Sequence, residues 1–154
     1  MYRGNAEYDT IQRTREAVRI PLIANGDITS IQKAREVLSA TGADAVMIGR
    51  GTQGDPWLPG IIAAQLNGRS LSRPPVHIQI ATIANLIREI QLFYGEQRGV
   101  KMARKHMQWF LKRFANGLEA WSHLHPIVDP DMQYQRFKEL IDGGGLRDGT
   151  ERTG

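Results

Sequence analysis

Two short apolar runs, each stopping at a polar loop that contains glycine and separated by one helical segment, constrain this chain more than any other feature. The first is Ile20-Pro-Leu-Ile-Ala24, which ends at Asn25-Gly26-Asp27; the second is Ala43-Asp-Ala-Val-Met-Ile48, which ends at Gly49-Arg50-Gly51. Between them Thr29 or Ser30 can cap a helix in which Ile31, Ala34, Val37 and Leu38 recur at helical spacing, and Thr41-Gly42 closes it. Strand, helix and strand with a polar loop after each strand is a βαβ unit, so two parallel, buried strands are expected. Residues that act on a ligand should then lie at the C-terminal ends of those strands.

The periodicity predicts a helix before this unit, Glu7 to Val18, with Ile11, Arg15 and Val18 on one face, and another after it, Pro56 to Leu66, with proline in its first turn and Gly68 just past its end. From residue 67 to 75 (NGRSLSRPP) the chain is polar and rich in Gly, Ser and Pro, which marks a linker. Beyond it the strand signature disappears. Apolar positions recur at helical spacing over Ile78 to Tyr94, Val100 to Phe114, Leu118 to Leu124 and Met132 to Ile141. The expected organisation is α/β over residues 1–66, the linker 67–75, an all-α domain over 76–142 and a disordered tail over 143–154.

With 154 residues the chain is shorter than the roughly 250 that a complete (β/α)₈ barrel needs. It has no cysteine, which excludes disulfides, thiolate metal sites and any thiol nucleophile or thiol acid from its own residues. No apolar run approaches the roughly 20 residues of a membrane span and no signal sequence is present, so a cytoplasmic protein without membrane attachment is expected. No second His, Cys or carboxylate sits at metal-ligand spacing around His106, and no metal is expected. His106 reads as a hydrogen-bonded flank residue, and His123 and His125 as members of a short loop without a catalytic partner. The net charge of +4, 20 basic against 16 acidic residues, is modest, but it can conceal a local patch suited to a polyanion.

Two constellations can carry chemistry. Glycines in the loops after both strands let backbone N–H groups approach an anion, and Arg50 can add a charge-assisted contact; in (β/α)₈ barrels a phosphate site is often built from the loops after the last two strands. Asp27 would repel a phosphate, and therefore serves to orient Arg50 or to cap the next helix. Spacing alone equally allows glycines that merely close turns and a solvated Arg50. The second constellation is the segment 98–113 (RGVKMARKHMQWFLKR), with six cations and no acid. Val100, Ala103, Met107, Phe110, Leu111 and Phe114 form an apolar stripe, while Lys101, Arg104, Lys105 and Lys112 cluster on an adjacent face with Gln108. Such a face can track a phosphate backbone or can be an ordinary solvated surface. Trp109 lies on neither stripe, and packing against a neighbouring helix is the simpler role for it.

The strings IPLIANGDI (20–28), GADAVMIGRG (42–51) and GDPW (54–57), followed after the linker by FYGEQRGVKMARKHMQWFL (93–111), closely resemble the C-terminal part of bacterial tRNA-dihydrouridine synthases of the B-type branch. The resemblance covers about two-thirds of the chain. It implies the last strands and helices of a (β/α)₈ TIM barrel followed by a C-terminal helical bundle. The implied activity is FMN-dependent, NADPH-driven reduction of the uridine C5–C6 bond in tRNA. Asn25, Gly26 and Asp27 match the family's loop after the seventh strand, and Gly49 and Arg50 that after the eighth, both of which contact the FMN phosphate. Lys101, Arg104 and Lys105, with Lys112 on the same basic face, fall in the helix used on tRNA. The family's catalytic cysteine comes from earlier strands, so none of the residues here is expected to be catalytic and the isolated chain is expected to be an inactive fragment. Another FMN barrel, of the dihydroorotate or dihydropyrimidine dehydrogenase kind, would share the phosphate corner but not the basic helix. A non-catalytic RNA-binding module would need only the helices.

Overall fold

A computed structural model describes residues 6–142 and Leu146. The chain divides into two compact units, Met1–Ser72 and Arg73–Gly154. The expected tail 143–154 lies outside the described residues apart from Leu146.

In the first unit, helix α1 (Tyr8–Ala17) leads into strand β1 (Ile23–Asn25), helix α2 (Ile31–Thr41), strand β2 (Ala45–Met47), a single 3-10 turn (Arg50–Thr52) and helix α3 (Leu58–Leu66). The strands pair in parallel, Ile23 opposite Ala45, Ala24 opposite Val46 and Asn25 opposite Met47. They are shorter than the apolar runs suggested, and they are covered on one face only. Side chains alternate along a strand. Ala24 and Val46 therefore face a core of Ile28, Ala34, Val37, Ala43, Leu58 and Ile62, with Tyr8 and Ile11 of α1 packed against it. On the opposite face Ile23 is 61% and Met47 52% exposed, which corrects the expectation of fully buried strands.

Local chemistry explains the boundaries. The Ser30 hydroxyl accepts from Lys33 N at 3.1 Å, so Ser30 rather than Thr29 or Asp27 caps α2, and Gly42 ends it in the left-handed conformation (φ 64°). Helix α3 begins two residues later than expected, because Asp55 to Leu58 is occupied by a turn in which Leu58 N donates to Asp55 O; the proline near its start is Pro59. At the N-terminal ends of the strands, Asp44 accepts from Leu22 N (2.8 Å) and pairs with Arg15 (3.3 Å), whose Nε also donates to Gly42 O. Helix α1 thus runs antiparallel to the strands, its start near their C-terminal ends and its last turn near their beginnings.

The second unit contains α4 (Val76–Tyr94), α5 (Glu96–Leu111), α6 (Gly117–Leu124) and α7 (Pro130–Asp142). Helix α5 starts four residues earlier than its apolar stripe suggested, directly after Gly95 (φ 76°), and it ends before Lys112 and Phe114. Its Val100, Ala103, Met107, Phe110 and Leu111 are buried together with Ile80, Ile83 and Ile87 of α4 and Phe137 of α7. Gly99 marks the close crossing of α4 and α5: a Cβ there would stand 2.6 Å from Gln91 Cα. Between the helices, buried Gln91 donates to Gln133 Oε1 (2.9 Å) and Pro130 O (3.1 Å). Asp129 caps α7 through Met132 N at 2.7 Å.

Candidate functional site

The loops after β1 and β2 meet at the C-terminal end of the sheet. Gly26 has φ 143°, and a Cβ there would collide with Ala6 Cβ; Asp27 follows at φ 48°, a left-handed geometry that Asp tolerates better than most residues. The Tyr8 hydroxyl donates to Gly26 O at 2.9 Å, and Ala6 N donates to Asp27 Oδ2 at 2.7 Å, so the segment around the start of α1 holds the first loop in shape. In the second loop Gly51 packs against the Ile28 carbonyl so closely that no side chain fits there. Open space surrounds the position of a Cβ on Gly49.

Asp27 Oδ1 and Arg50 Nη2 stand 3.0 Å apart. Of the two roles foreseen for Asp27, it takes the one of orienting Arg50, since Ser30 is the cap. The Arg50 side chain remains 65% exposed, with one nitrogen on Asp27 and the rest of its fork directed to solvent. The N–H groups that open a helical turn have no acceptor inside it, so the 3-10 turn at Arg50 adds backbone donors beside the guanidinium. Lys33 lies nearby, its ammonium 4.9 Å from the Tyr8 ring centre. The hydrogen bond to Glu36 raises its pKa above the usual lysine value; desolvation opposes this, and the charges of Tyr8, Glu36 and Asp27 add smaller upward contributions. Asn25, at the end of β1, is exposed on the sheet face opposite the core.

In the second unit the six cations of segment 98–113 separate into two groups. Lys101, Lys105 and Lys112 are exposed on the outward side of the segment; Lys112 lies just past the last helical residue but keeps helical backbone angles (φ −55°, ψ −18°). Arg104, expected on the same open face, sits at its edge. It is half-buried, Nη2 donates to Ile127 O at 3.2 Å, and Nε is buried without a hydrogen-bond partner. Arg113 donates to Gln79 Oε1 at 2.9 Å and lies over the Phe110 and Phe114 rings. Arg98 lies over Tyr94 (5.4 Å). Arg104 and Arg113 are thus tied to the fold, Arg98 stays exposed, and the lysines point outward, which matches the stronger hydration of an ammonium.

A cavity of about 500 Å³ opens beside Lys101 and Arg104, with Glu96, Val100, Val128 and Asp129 among the residues of its wall. His106 is half-buried and packs edge-on against Trp109 (5.1 Å) instead of serving as a hydrogen-bonded flank. Its pKa is lowered, first by burial and then by the neighbouring Lys105. His123 lies within α6, and His125, at the end of that helix, places Nδ1 3.2 Å from Trp121 O. Among the described residues no group of three or more His, Asp or Glu could hold a metal ion, and no helix is long and apolar enough to cross a membrane.

Sequence reasoning missed Tyr8, Lys33 and the Arg15–Asp44 pair. An aromatic residue on a helix with a thin apolar face was the available signal for Tyr8, but its hydroxyl partner is 18 residues away in the chain.

The family model described as Dihydrouridine synthase (Dus) matches residues 1–142. Three similar relatives are each called tRNA-dihydrouridine synthase B. The protein from Xanthomonas axonopodis pv. citri (strain 306) is 40% identical over 142 residues, which is 92% of this chain and 43% of the relative. Those from Vibrio parahaemolyticus serotype O3:K6 and Proteus vulgaris are each 46% identical over 143 residues, 92% of this chain and 44% of theirs. The chain therefore spans less than half the length of these relatives. A match over residues 1–142 takes in both units, and on that basis the chain belongs to the dihydrouridine synthase family.

Proposed function

We propose that this chain forms the cofactor-phosphate corner and part of the RNA-binding surface of a tRNA-dihydrouridine synthase of the B type, an FMN-dependent oxidoreductase that uses NADPH to reduce uridine in tRNA. The barrel reading is supported by the parallel pair β1–β2, by helices on one of its faces and by the apolar opposite face of Ile23 and Met47, which suits a barrel interior. The single observation that carries the phosphate assignment is the convergence of both strand-end loops, with Arg50 held by Asp27 and largely open.

The residues fit a phosphate. Gly26 and Gly51 let the two loops pack closely against Ala6 and the Ile28 carbonyl, Gly49 leaves open space for an anion, and Arg50 keeps free donors for a bidentate contact. Asn25 can add an amide donor, and Asp27 acts as the positioning residue for Arg50. A flavin held there supplies hydride chemistry to the uracil ring. With no cysteine, this chain contributes no thiol acid to that reaction. Binding and orientation are its part. A tRNA substrate implies a cytoplasmic place of action, and Lys101, Lys105 and Lys112, with Arg104 at the edge, suit its phosphate backbone. The segment 67–75 serves as the linker between the barrel part, 1–66, and the RNA-binding helices, 76–142.

The test compares FMN with riboflavin, which lacks the phosphate. Amide NMR resonances of Gly49, Arg50 and Gly51 should move on addition of FMN and stay in place with riboflavin. Equal responses to both, or responses confined to other residues, would overturn the phosphate corner.

A further inference from the structure

We propose that the end of α4 and the outward face of α5 form a platform for unpaired RNA bases, with Phe93 and Trp109 each stacking one base and the lysines between them holding the intervening phosphates. The proposal rests on the RNA-binding reading above and goes beyond it by naming single-stranded RNA as the form that is gripped.

Phe93 is 81% exposed, although most phenylalanines obtain burial. It is not a loose ring. Its edge meets Tyr94 at 4.9 Å with an interplanar angle of 81°, and Arg98 lies over Tyr94 at 5.4 Å, so aromatic, aromatic and guanidinium are assembled at the α4–α5 corner. Leu92 beside it is 66% exposed. At the other end of the face Trp109 is half-buried, with part of its ring open. On its own helix its ring meets His106 edge-on and Lys105 at 5.9 Å.

The spacing connects the two ends. At about 100° per residue, Lys101, Lys105, Lys112 and Trp109 fall within an arc of roughly 80°, and Arg98 to Trp109 covers about 16 Å of helix. That length suits a few nucleotides of an extended strand. No acidic residue occurs in the sequence between Glu96 and Glu119, and the acids Glu96 and Asp129 border this face only at its Lys101–Arg104 end. Accessible aromatic faces beside lysines are what a single strand requires: every base has a π face to stack, and the phosphates follow the positive stripe. A paired duplex keeps its bases stacked on one another and would use the lysines alone.

The experiment measures affinity of the full chain for a short single-stranded RNA and for a duplex of the same length, with parent, Phe93→Leu, Trp109→Leu and the Lys101→Gln, Lys105→Gln double variant. Each leucine variant should bind the single strand roughly tenfold more weakly and the duplex unchanged. Phe93→Tyr and Trp109→Phe, which retain a ring, should restore single-strand affinity and so exclude simple misfolding. The lysine variant should weaken both forms. If the lysine variant weakens both while the leucine variants leave single-strand affinity unchanged, the platform is wrong and the RNA-binding reading survives. If neither RNA form binds the parent, both readings fall together.

Discussion

Gly99 lies in the tightest part of the second unit and should make its replacement by alanine destabilising, although alanine is the better helix former. In a helix interior with free space the substitution gains about 1 kcal/mol. Here the new Cβ would stand 2.6 Å from Gln91 Cα, 3.0 Å from its carbonyl oxygen and 3.2 Å from its carbonyl carbon. These are backbone atoms of α4 and cannot rotate aside. Ordinary carbon contacts need about 3.5–4.0 Å, so α4 and α5 must part by roughly 1 Å. Overpacking of this kind costs about 1–3 kcal/mol. Separation also stretches the bonds of Gln91 to Gln133 and Pro130 and that of Gln133 to Val100 O (3.4 Å), each worth about 0.5–1.5 kcal/mol. The net expectation is a loss of about 1–3 kcal/mol. In a unit of this size each of those kcal/mol lowers the melting temperature by about 4–8 °C. Gly60 in α3 is the control, because its nearest neighbour, Leu71 Cδ2, is 3.8 Å from the new Cβ; Gly60→Ala should leave stability equal or slightly raised. Denaturant unfolding followed by helical circular dichroism measures both. A Gly99→Ala chain as stable as its parent would refute the reasoning.

Arg50→Ala should remove the discrimination between FMN and riboflavin, and in an enzyme with a complete barrel it should speed flavin loss on dialysis; a charge-assisted contact of about 1.5–3 kcal/mol, reduced by the exposure of Arg50, sets the scale. Unchanged retention would count against the phosphate corner. The His106 pKa lies below its ordinary value of 6.5, mainly through burial, so between those two pH values the unfolded chain binds the extra proton. Stability should therefore be full above pH 6.5 and fall as the pH drops from 6.5 towards the folded value; a His106→Gln variant that keeps the same decline would show that another group is responsible.

The apolar runs before Asn25-Gly26-Asp27 and Gly49-Arg50-Gly51, with the helix between them, were readable because strand and helix periods differ and because glycine marks the loops. The same pattern suggested fully buried strands. Only alternation against a partner layer decides burial, and here Ala24 is covered while Ile23 and Met47 are open. The four helices of the second unit were legible from their apolar spacing. The early start of α5 was not, because residues 96–99 carry no apolar side chain and Gly99 is there to let α4 approach. At the site, the charge logic left Asp27 either orienting Arg50 or capping α2, and the ion pair with Arg50 together with the Ser30 cap decides between them. The supports from Ala6 and Tyr8 connect residues far apart in the chain and leave no mark in local sequence. The basic segment showed its charge but not its division: Arg104 and Arg113 turn towards Ile127 and Gln79, partners that only the folded unit supplies.

The claim that the second unit binds RNA through its exposed lysines is tested most directly by tRNA affinity at several salt concentrations, for the parent and for the Lys101→Gln, Lys105→Gln variant. Phosphate contacts position a partner without reading its sequence, so the variant should bind different tRNAs more weakly to a similar extent. Its slope of log affinity against log salt should become shallower by somewhat less than one unit for each cation removed. The thermal melt should stay the same, because both lysines are exposed and glutamine is a comparable helix former. Unchanged affinity and an unchanged slope, with the melt intact, would contradict the account and leave the basic face as solvated surface.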